Sequence, residues 1–328
     1  MSFKTILVRG FLYTALLIFS AYFSFVSAQT GMPPQTVGER DARLADLRRK
    51  IAELKSVAEG KNQKSQSSIV VTDPVAKDKD DVSPLKTFSV SLDCLKYSGA
   101  ARDMCLQAQK EPNEHERSHF INAMCCQAYA NGRKGTCIHV GWDVNGSAIM
   151  TWVDEPAGTI GGLVTTNCTP SFFKSCMRYD TYLIKSRNNG WNNISYLFDE
   201  WGAYNIGGRE RLDKTLKGGK RELMINIVEG PMDFVVIAAS IVKYTQTISP
   251  QNFQNSEFRN FVRTQIETSM AIVREAYAAQ AQSGAFKGEN GGNTQSIFEQ
   301  FIRSPQAKLL RQMYGDAWFD KTFDINFK

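Results

Sequence analysis

Several familiar signatures are missing from this 328-residue sequence. No Cys-x-x-Cys pair occurs, which removes the zinc ribbon and the thioredoxin-type redox pair. No Gly-x-Ser-x-Gly elbow marks a serine hydrolase. The glycines at Gly218-Gly219 are not followed by Gly-Lys-Ser/Thr at Walker spacing, so they form no phosphate loop. No repeat of fixed period suggests a solenoid. Neither sign of charge dominates: 39 basic residues against 33 acidic ones leave a net charge of +6, too mild to imply a nucleic-acid partner. With 10 prolines, 24 glycines and 42% hydrophobic residues, the chain is not collagenous, low-complexity or wholly disordered. Histidine is the scarcest chemical resource. All three histidines and all seven cysteines lie between Cys94 and Cys176, about a quarter of the chain.

What is present begins with export. Lys4 and Arg9 precede an apolar run from Phe11 to Val26, and Val26-Ser27-Ala28 reads as a signal-peptidase site. Residues 1–28 are therefore expected to be a signal peptide with the mature chain starting at Gln29. The alternative is an uncleaved anchor, since the 19 residues from Gly10 to Ala28 lack charge and just suffice to cross a bilayer. No cysteine follows residue 28 closely, which argues against a lipoprotein. Either way the body is expected in the periplasm or outside the cell.

In residues 29–59, Leu44, Leu47, Ile51, Leu54 and Ala58 fall at alternating spacings of three and four, the stripe of a short coiled coil. Residues 60–88 are rich in Lys, Asp, Ser and Gln and read as a solvated linker. A helix separated from its domain by a linker needs another partner for its apolar edge, so Leu44, Leu47, Ile51 and Leu54 are candidates for self-association or docking.

Residues 89–180 are expected to be a disulfide-stapled α+β domain. In an oxidising compartment Cys94, Cys105, Cys125, Cys126, Cys137, Cys168 and Cys176 should pair, leaving one thiol over. Connectivity is not legible, except that neighbouring Cys125 and Cys126 should take different partners. Asn145-Gly146 between two alternating runs predicts a β-hairpin over 137–154, with Trp142 facing Ile149, Val140 facing Thr151 and His139 opposite Trp152. One face then carries Ile138, Val140, Trp142, Val144, Ile149 and Val153 as a core surface.

Residues 181–328 read as mainly helical. Aromatics crowd the start of this stretch and look exposed. Phe234–Val242, flanked by Asp233 and Lys243, is too short to span a membrane and reads as a buried element. An amphipathic stripe of Phe258, Val262, Ile266, Met270, Val273 and Tyr277 begins at Ser256 and stops at Gly284. Ser304-Pro305 starts another helix that ends at Gly315. The tail alternates Phe323, Ile325 and Phe327, as a strand or an anchoring segment would.

One motif carries recognisable chemistry. His115-Glu116-Arg117-Ser118-His119 matches His-Glu-x-x-His, in which two histidines one helical turn apart bind zinc and the glutamate activates water. Asn113 is placed to cap the helix. The flanking Lys110, Glu111, Pro112 and Glu114 put the motif at an exposed first turn, however, whereas catalytic zinc favours a sheltered cleft. The metzincin extension is absent, and the third ligand would have to be His139 or a distant carboxylate. Cys126 lies about 10 Å further along the helix, too far to share the ion.

The leading expectation is thus an α+β, exported, non-enzymatic protein that assembles with protein partners in a cell-envelope complex and holds no cofactor. One alternative is a zinc-dependent hydrolase with Glu116 as catalytic base and His115, His119 and His139 as candidate ligands. The other is a redox-active or intermolecularly disulfide-linked protein that uses the leftover cysteine.

Overall fold

The structure, a computed structural model, describes residue 85 and residues 87–327, apart from 131–132, 143–147, 157, 220 and 288–290. The expected signal peptide, the coiled-coil helix with Leu44, Leu47, Ile51 and Leu54, most of the linker and the Asn145-Gly146 turn lie outside the described residues.

A three-stranded antiparallel sheet divides two apolar clusters. Its order is β1 (Thr87–Val90), β3 (Ala148–Val153), β2 (Thr136–Trp142). On one face lie α1 (Gly99–Lys110) and α2 (Glu114–Tyr129), which bury Cys105, Ala108, Ile121, Met124 and Cys125 against Cys137, Ala148 and Met150. On the other face Ile138 and Val153 join the large cluster built by the remaining helices. Because the sheet feeds both clusters, the described residues make one compact unit.

The rest is helical: α3 (Ile160–Thr165), a π-helical turn (Tyr179–Lys185), α4 (Ile194–Leu216), α5 (Ile225–Ile248), α6 (Ser256–Ser283), α7 (Thr294–Ile302), α8 (Pro305–Tyr314) and α9 (Asp316–Thr322). By length and composition α5 could cross a membrane, but 83% of its apolar window is buried, so it is the central core helix. Local signals set several ends. Asn255, one residue before the expected start, caps α6 by accepting from the Glu257 and Phe258 amides, and Gly284 ends it with a left-handed φ of 58°. Ser304 caps α8 with Pro305 in its first turn. The tail after α9 forms no strand; Phe323 is buried and Ile325 and Phe327 pack on the core.

The hairpin departs from its expected register. Trp142 pairs with Ala148, and beyond a bulge between His139 and Gly141 the partners are His139 with Met150 and Ile138 with Thr151. The slip is one residue near the turn and two beyond the bulge, because an extra residue in one strand shifts all pairing past it. Ile138 and Val153 face the main core as expected, but Ile149 is 39% exposed and His139 is buried. Both faces of the sheet are covered, so alternation does not separate core from solvent here.

Two cysteine pairs are bridged, Cys94–Cys105 and Cys125–Cys137. Cys125 and Cys126 do part company, as expected, but Cys126, Cys168 and Cys176 all remain thiols, three rather than one. Cys168 is buried; Cys126 accepts from the Cys137 amide at 3.2 Å; Cys176 donates to Asp233 at 3.3 Å.

Helix α4 is placed by glycine and by a polar chain. A Cβ at Gly202 would lie 3.3 Å from the Ile138 side chain, one at Gly207 3.3 Å from the His115 Cβ, and one at Gly208 3.0 Å from the Ile227 carbonyl oxygen. Pro231, four residues after Ile227, cannot donate to that carbonyl, so α4 crosses α5 where the ladder is already open. The helix is thus smooth where β2, α2 and α5 approach it. Its rotation is locked by a buried relay. Trp201 donates to the Ser269 hydroxyl (2.8 Å), which donates to Asn205 (2.7 Å); Asn205 donates to Gln265 (2.7 Å), which donates to the His139 carbonyl (2.6 Å). Each polar group is buried and partnered, which fixes one packing arrangement.

Candidate metal centre

The first turn of α2 is held from its own sequence. The Asn113 side chain accepts from the His115 amide at 3.0 Å, a cap of about 1 kcal/mol. Glu114 and Glu116 favour the positive helix end. Arg117 reaches back to the Glu111 carbonyl at 2.9 Å and pairs with Glu114 at 2.6 Å. Ser118 Oγ meets His139 Nδ1 at 2.6 Å, which ties α2 to β2 and fixes its rotation. With that rotation His115, His119 and Asn122, spaced at four and three, form the stripe that meets α4.

Helix α4 brings Glu200 to this stripe. Its Oε2 lies 3.8 Å from His115 Nε2 and 3.8 Å from His119 Nε2. One ligand atom from each residue falls within 4.8 Å of the others. Around a tetrahedral ion at ~2.1 Å, ligand atoms sit about 3.4 Å apart, so the 3.8 Å separations need closing by only a few tenths of an ångström. The side chains are 18%, 24% and 11% exposed, which leaves an approach from solvent. The expectation of an exposed motif is corrected in one respect. Its outer residue Glu116 is exposed, while α4 shelters both histidines.

The supports around the three are as telling as the three. Asp199 accepts from His119 Nδ1 at 2.9 Å and from the Asn122 amide, which leaves His119 Nε2 to face Glu200. A carboxylate behind a ligating histidine is the usual outer support of a metal site. His115 is hydrogen-bonded to the Ala203 backbone, and burial, the charge of His119 and Arg211 push it down to about 3, so it is a neutral, electron-pair-bearing imidazole at physiological pH. Burial alone would depress His119 as well, but Asp199 beside it, with Glu200 and Glu116, lifts it to about 10. Three carboxylates therefore act on one imidazole and hold it protonated. Burial pushes the Glu200 carboxyl upward, opposed by His119 and by Tyr196 and Tyr182 within hydrogen-bonding reach. Tyr182 is carried by the π-helical turn, an irregularity frequent at functional sites. The Tyr204 ring packs edge-on to His115 at 4.6 Å, and its hydroxyl meets that of Tyr182 at 2.9 Å. Behind Tyr204 sits Arg178, 4.9 Å from the ring centre and paired with Asp233 (2.8 Å) and Glu229 (2.9 Å).

Of the residues singled out from sequence, His115 and His119 come together, and the exposed Glu116 acts on His119 through its charge. His139 does not join them; fully buried and bound to Ser118, it braces α2 from behind, and Glu200 takes the third place. Cys126 turns to Thr136 and Cys137 instead. Asp199, Glu200, Tyr182, Tyr196 and Tyr204 were not singled out. The available signal was an acidic pair inside the aromatic run Tyr196–Tyr204, a place where carboxylates are rare without a partner. Those aromatics, expected at the surface, mostly turn inward: Tyr179, Tyr182, Phe198 and Trp201 are all buried.

In comparisons with known proteins, the chain matches no family model, no curated protein and no solved structure.

Proposed function

We propose that this protein is an exported zinc-dependent hydrolase, with His115, His119 and Glu200 as ligands and Glu116 as general base. The observation that carries this reading is the placement of Glu200 Oε2 at 3.8 Å from both histidine Nε2 atoms. Two histidines and a carboxylate with an open position suit catalytic zinc, and they also suit a non-haem iron site. Glu116 favours zinc, because a carboxylate next to the first histidine serves hydrolysis and has no task in an iron triad. The two disulfides support an oxidising, exported setting, in which zinc persists and ferrous iron does not.

A zinc ion in this place would polarise the scissile carbonyl and acidify a bound water. Glu116 would be the base that accepts a water's proton as the oxygen bonds to the carbonyl carbon and returns it to the leaving group as the old bond breaks. Asp199 holds the Nδ1 proton of His119, so that Nε2 would be the nitrogen to give up its proton to an incoming ion. Tyr182 and Tyr196 lie beside Glu200 and would help fix its carboxylate.

The envelope-assembly reading rested on Leu44, Leu47, Ile51 and Leu54, which lie outside the described residues, on a disulfide-stapled body, on aromatics of which several face inward, and on the lack of a convincing catalytic set. An N-terminal association helix fits the hydrolase equally well, as the device that docks a catalytic body to protein partners.

The test is elemental analysis of the purified mature chain, followed by assay on a library of fluorogenic amides and esters. About one zinc per chain is expected, lost in folded His115→Ala and Glu200→Ala variants. Glu116→Gln should keep its zinc and lose roughly 10²–10⁴-fold in hydrolysis, the usual worth of a general base. A chain that stays metal-free after zinc supplementation, or one that takes iron instead, overturns the proposal.

A further inference from the structure

On α4 the residues Glu200, Tyr204, Gly207, Arg211 and Lys214 recur every three or four positions and so share one face. That face carries the candidate metal ligand at one end. Gly207, which abuts His115, lies in the middle, and Arg211 follows one turn later, about 6 Å along the axis. His115, Gly207, Arg211, Lys214, Lys217 and Glu222 line one open groove of about 690 Å³.

The charges in this groove are not equivalent. Glu114 is taken up by Arg117, and Lys214 by Glu210. Among the described residues Arg211 forms no ion pair; one Nη1 donates to the Asn226 carbonyl at 3.1 Å, which anchors the guanidinium. A guanidinium has five donors, so most of this fork is open to a ligand. Lys217 and Glu222, of opposite sign, line the same groove. The net effect is a half-buried cation anchored in the groove that His115 borders, one helical turn beyond Gly207 and about 16 Å along the axis from Glu200. Its charge is felt at His115.

We infer that Arg211 is a specificity-determining residue that binds a carboxylate on the substrate, so that the preferred substrates carry an acidic group or a free C-terminus set several bonds away from the bond to be cleaved. This rests on the zinc reading of His115, His119 and Glu200. Planar bidentate recognition is what an arginine fork supplies and a lysine does not. Because the fork is tied to the Asn226 carbonyl, it lies at a set distance from the metal and reads position as well as charge.

The experiment uses the full mature chain loaded with zinc and a series of straight-chain acyl hydroxamates, which ligate zinc through the hydroxamate. One set ends in a carboxylate, from succinyl to suberoyl, and the other ends in a methyl group at matched length. Calorimetric affinities should favour one or two lengths of the carboxylate set by about tenfold or more. Arg211→Gln should erase that preference and leave the methyl-ended probes unchanged. Arg211→Lys should recover only part of it, and added salt should weaken it in the wild type. Equal affinity for both sets in the wild type, or a preference that survives Arg211→Gln, overturns the role of Arg211 while leaving the metal site standing. Methyl-ended probes that fail to bind the wild type overturn the zinc reading beneath it.

Discussion

Replacing Asp199 by Asn separates a metal site from a structural ion pair. Asp199 accepts from two donors, His119 Nδ1 at 2.9 Å and the Asn122 side-chain amide. An asparagine of the same shape offers one oxygen and one NH2. If the oxygen stays on His119, the new NH2 faces the Asn122 NH2, donor against donor. If Asn122 flips, its amide nitrogen moves to the place of Oδ1, a buried atom with no partner. Either arrangement loosens His119, and the loss of negative charge makes the imidazole a poorer ligand.

Outer supports of this kind are worth about 10–100-fold in metal affinity, or roughly 1.4–2.7 kcal/mol. A ligand that binds only the folded state stabilises it by RT ln(1 + [L]/Kd), so at fixed excess zinc the variant should lose that same amount of zinc-dependent stabilisation. For a body of this size each kcal/mol shifts the melting temperature by about 2–4 °C. The zinc-induced rise should therefore be smaller in Asp199→Asn by roughly 3–10 °C, read by circular dichroism with and without zinc. Competition against a chromophoric chelator gives the affinity directly. An equal zinc-induced rise in both proteins would refute the reasoning, because Asp199 would then do nothing for the metal. No rise in either would show His119, Asp199 and Glu200 to be an ion-pair cluster alone.

Two further consequences can be read elsewhere in the molecule. Cys125→Ser with Cys137→Ser should cost about 2–4 kcal/mol in urea unfolding under oxidising conditions, since the bridge closes a short loop between the end of α2 and β2; an unchanged midpoint would mean the bridge does not form in the mature chain. Burial pushes the Asp233 carboxyl up to about 6 in spite of Arg178 and its hydrogen bonds. A raised carboxyl stabilises the fold below its unfolded value near 4, and that contribution fades as pH climbs through about 6. Asp233→Asn cannot titrate, so its stability relative to wild type should improve between pH 4 and 6.5; a difference that stays flat with pH would contradict the buried, proton-retaining carboxyl.

The parts of the fold that were legible in sequence are those set by neighbouring residues. Asn113 caps α2, Gly284 ends α6, and Ser304-Pro305 opens α8, because each acts on backbone groups within a few positions. The His-Glu-x-x-His spacing puts His115 and His119 on one face for the same reason. The hairpin register failed where an unseen bulge shifted it, and the exposure of the sheet failed because alternation records two chemical environments without saying whether either is water. The cysteines lost their even bookkeeping because pairing depends on which elements meet. Cys168 and Cys176 lie near Thr166 and Asp233 and not near each other's sulfur.

The setting of the motif shows the same limit and turns it into an argument. Read locally, Glu111, Pro112, Glu114 and Arg117 make the first turn of α2 look too wet for a metal. The shelter arrives from 81 residues beyond His119, on a helix whose glycines let it come close enough. Gly202 admits Ile138, Gly207 admits His115, and only then does Glu200 reach both imidazoles. A helix end that is open on one side and roofed on the other is what a hydrolytic metal requires. The ligands need a low dielectric and a fixed frame, while Glu116 needs access to water and substrate. On the proposed zinc reading, the wet first turn and the dry face of α4 would be two halves of one site, and the exposure that counted against the motif in sequence would serve as its open side.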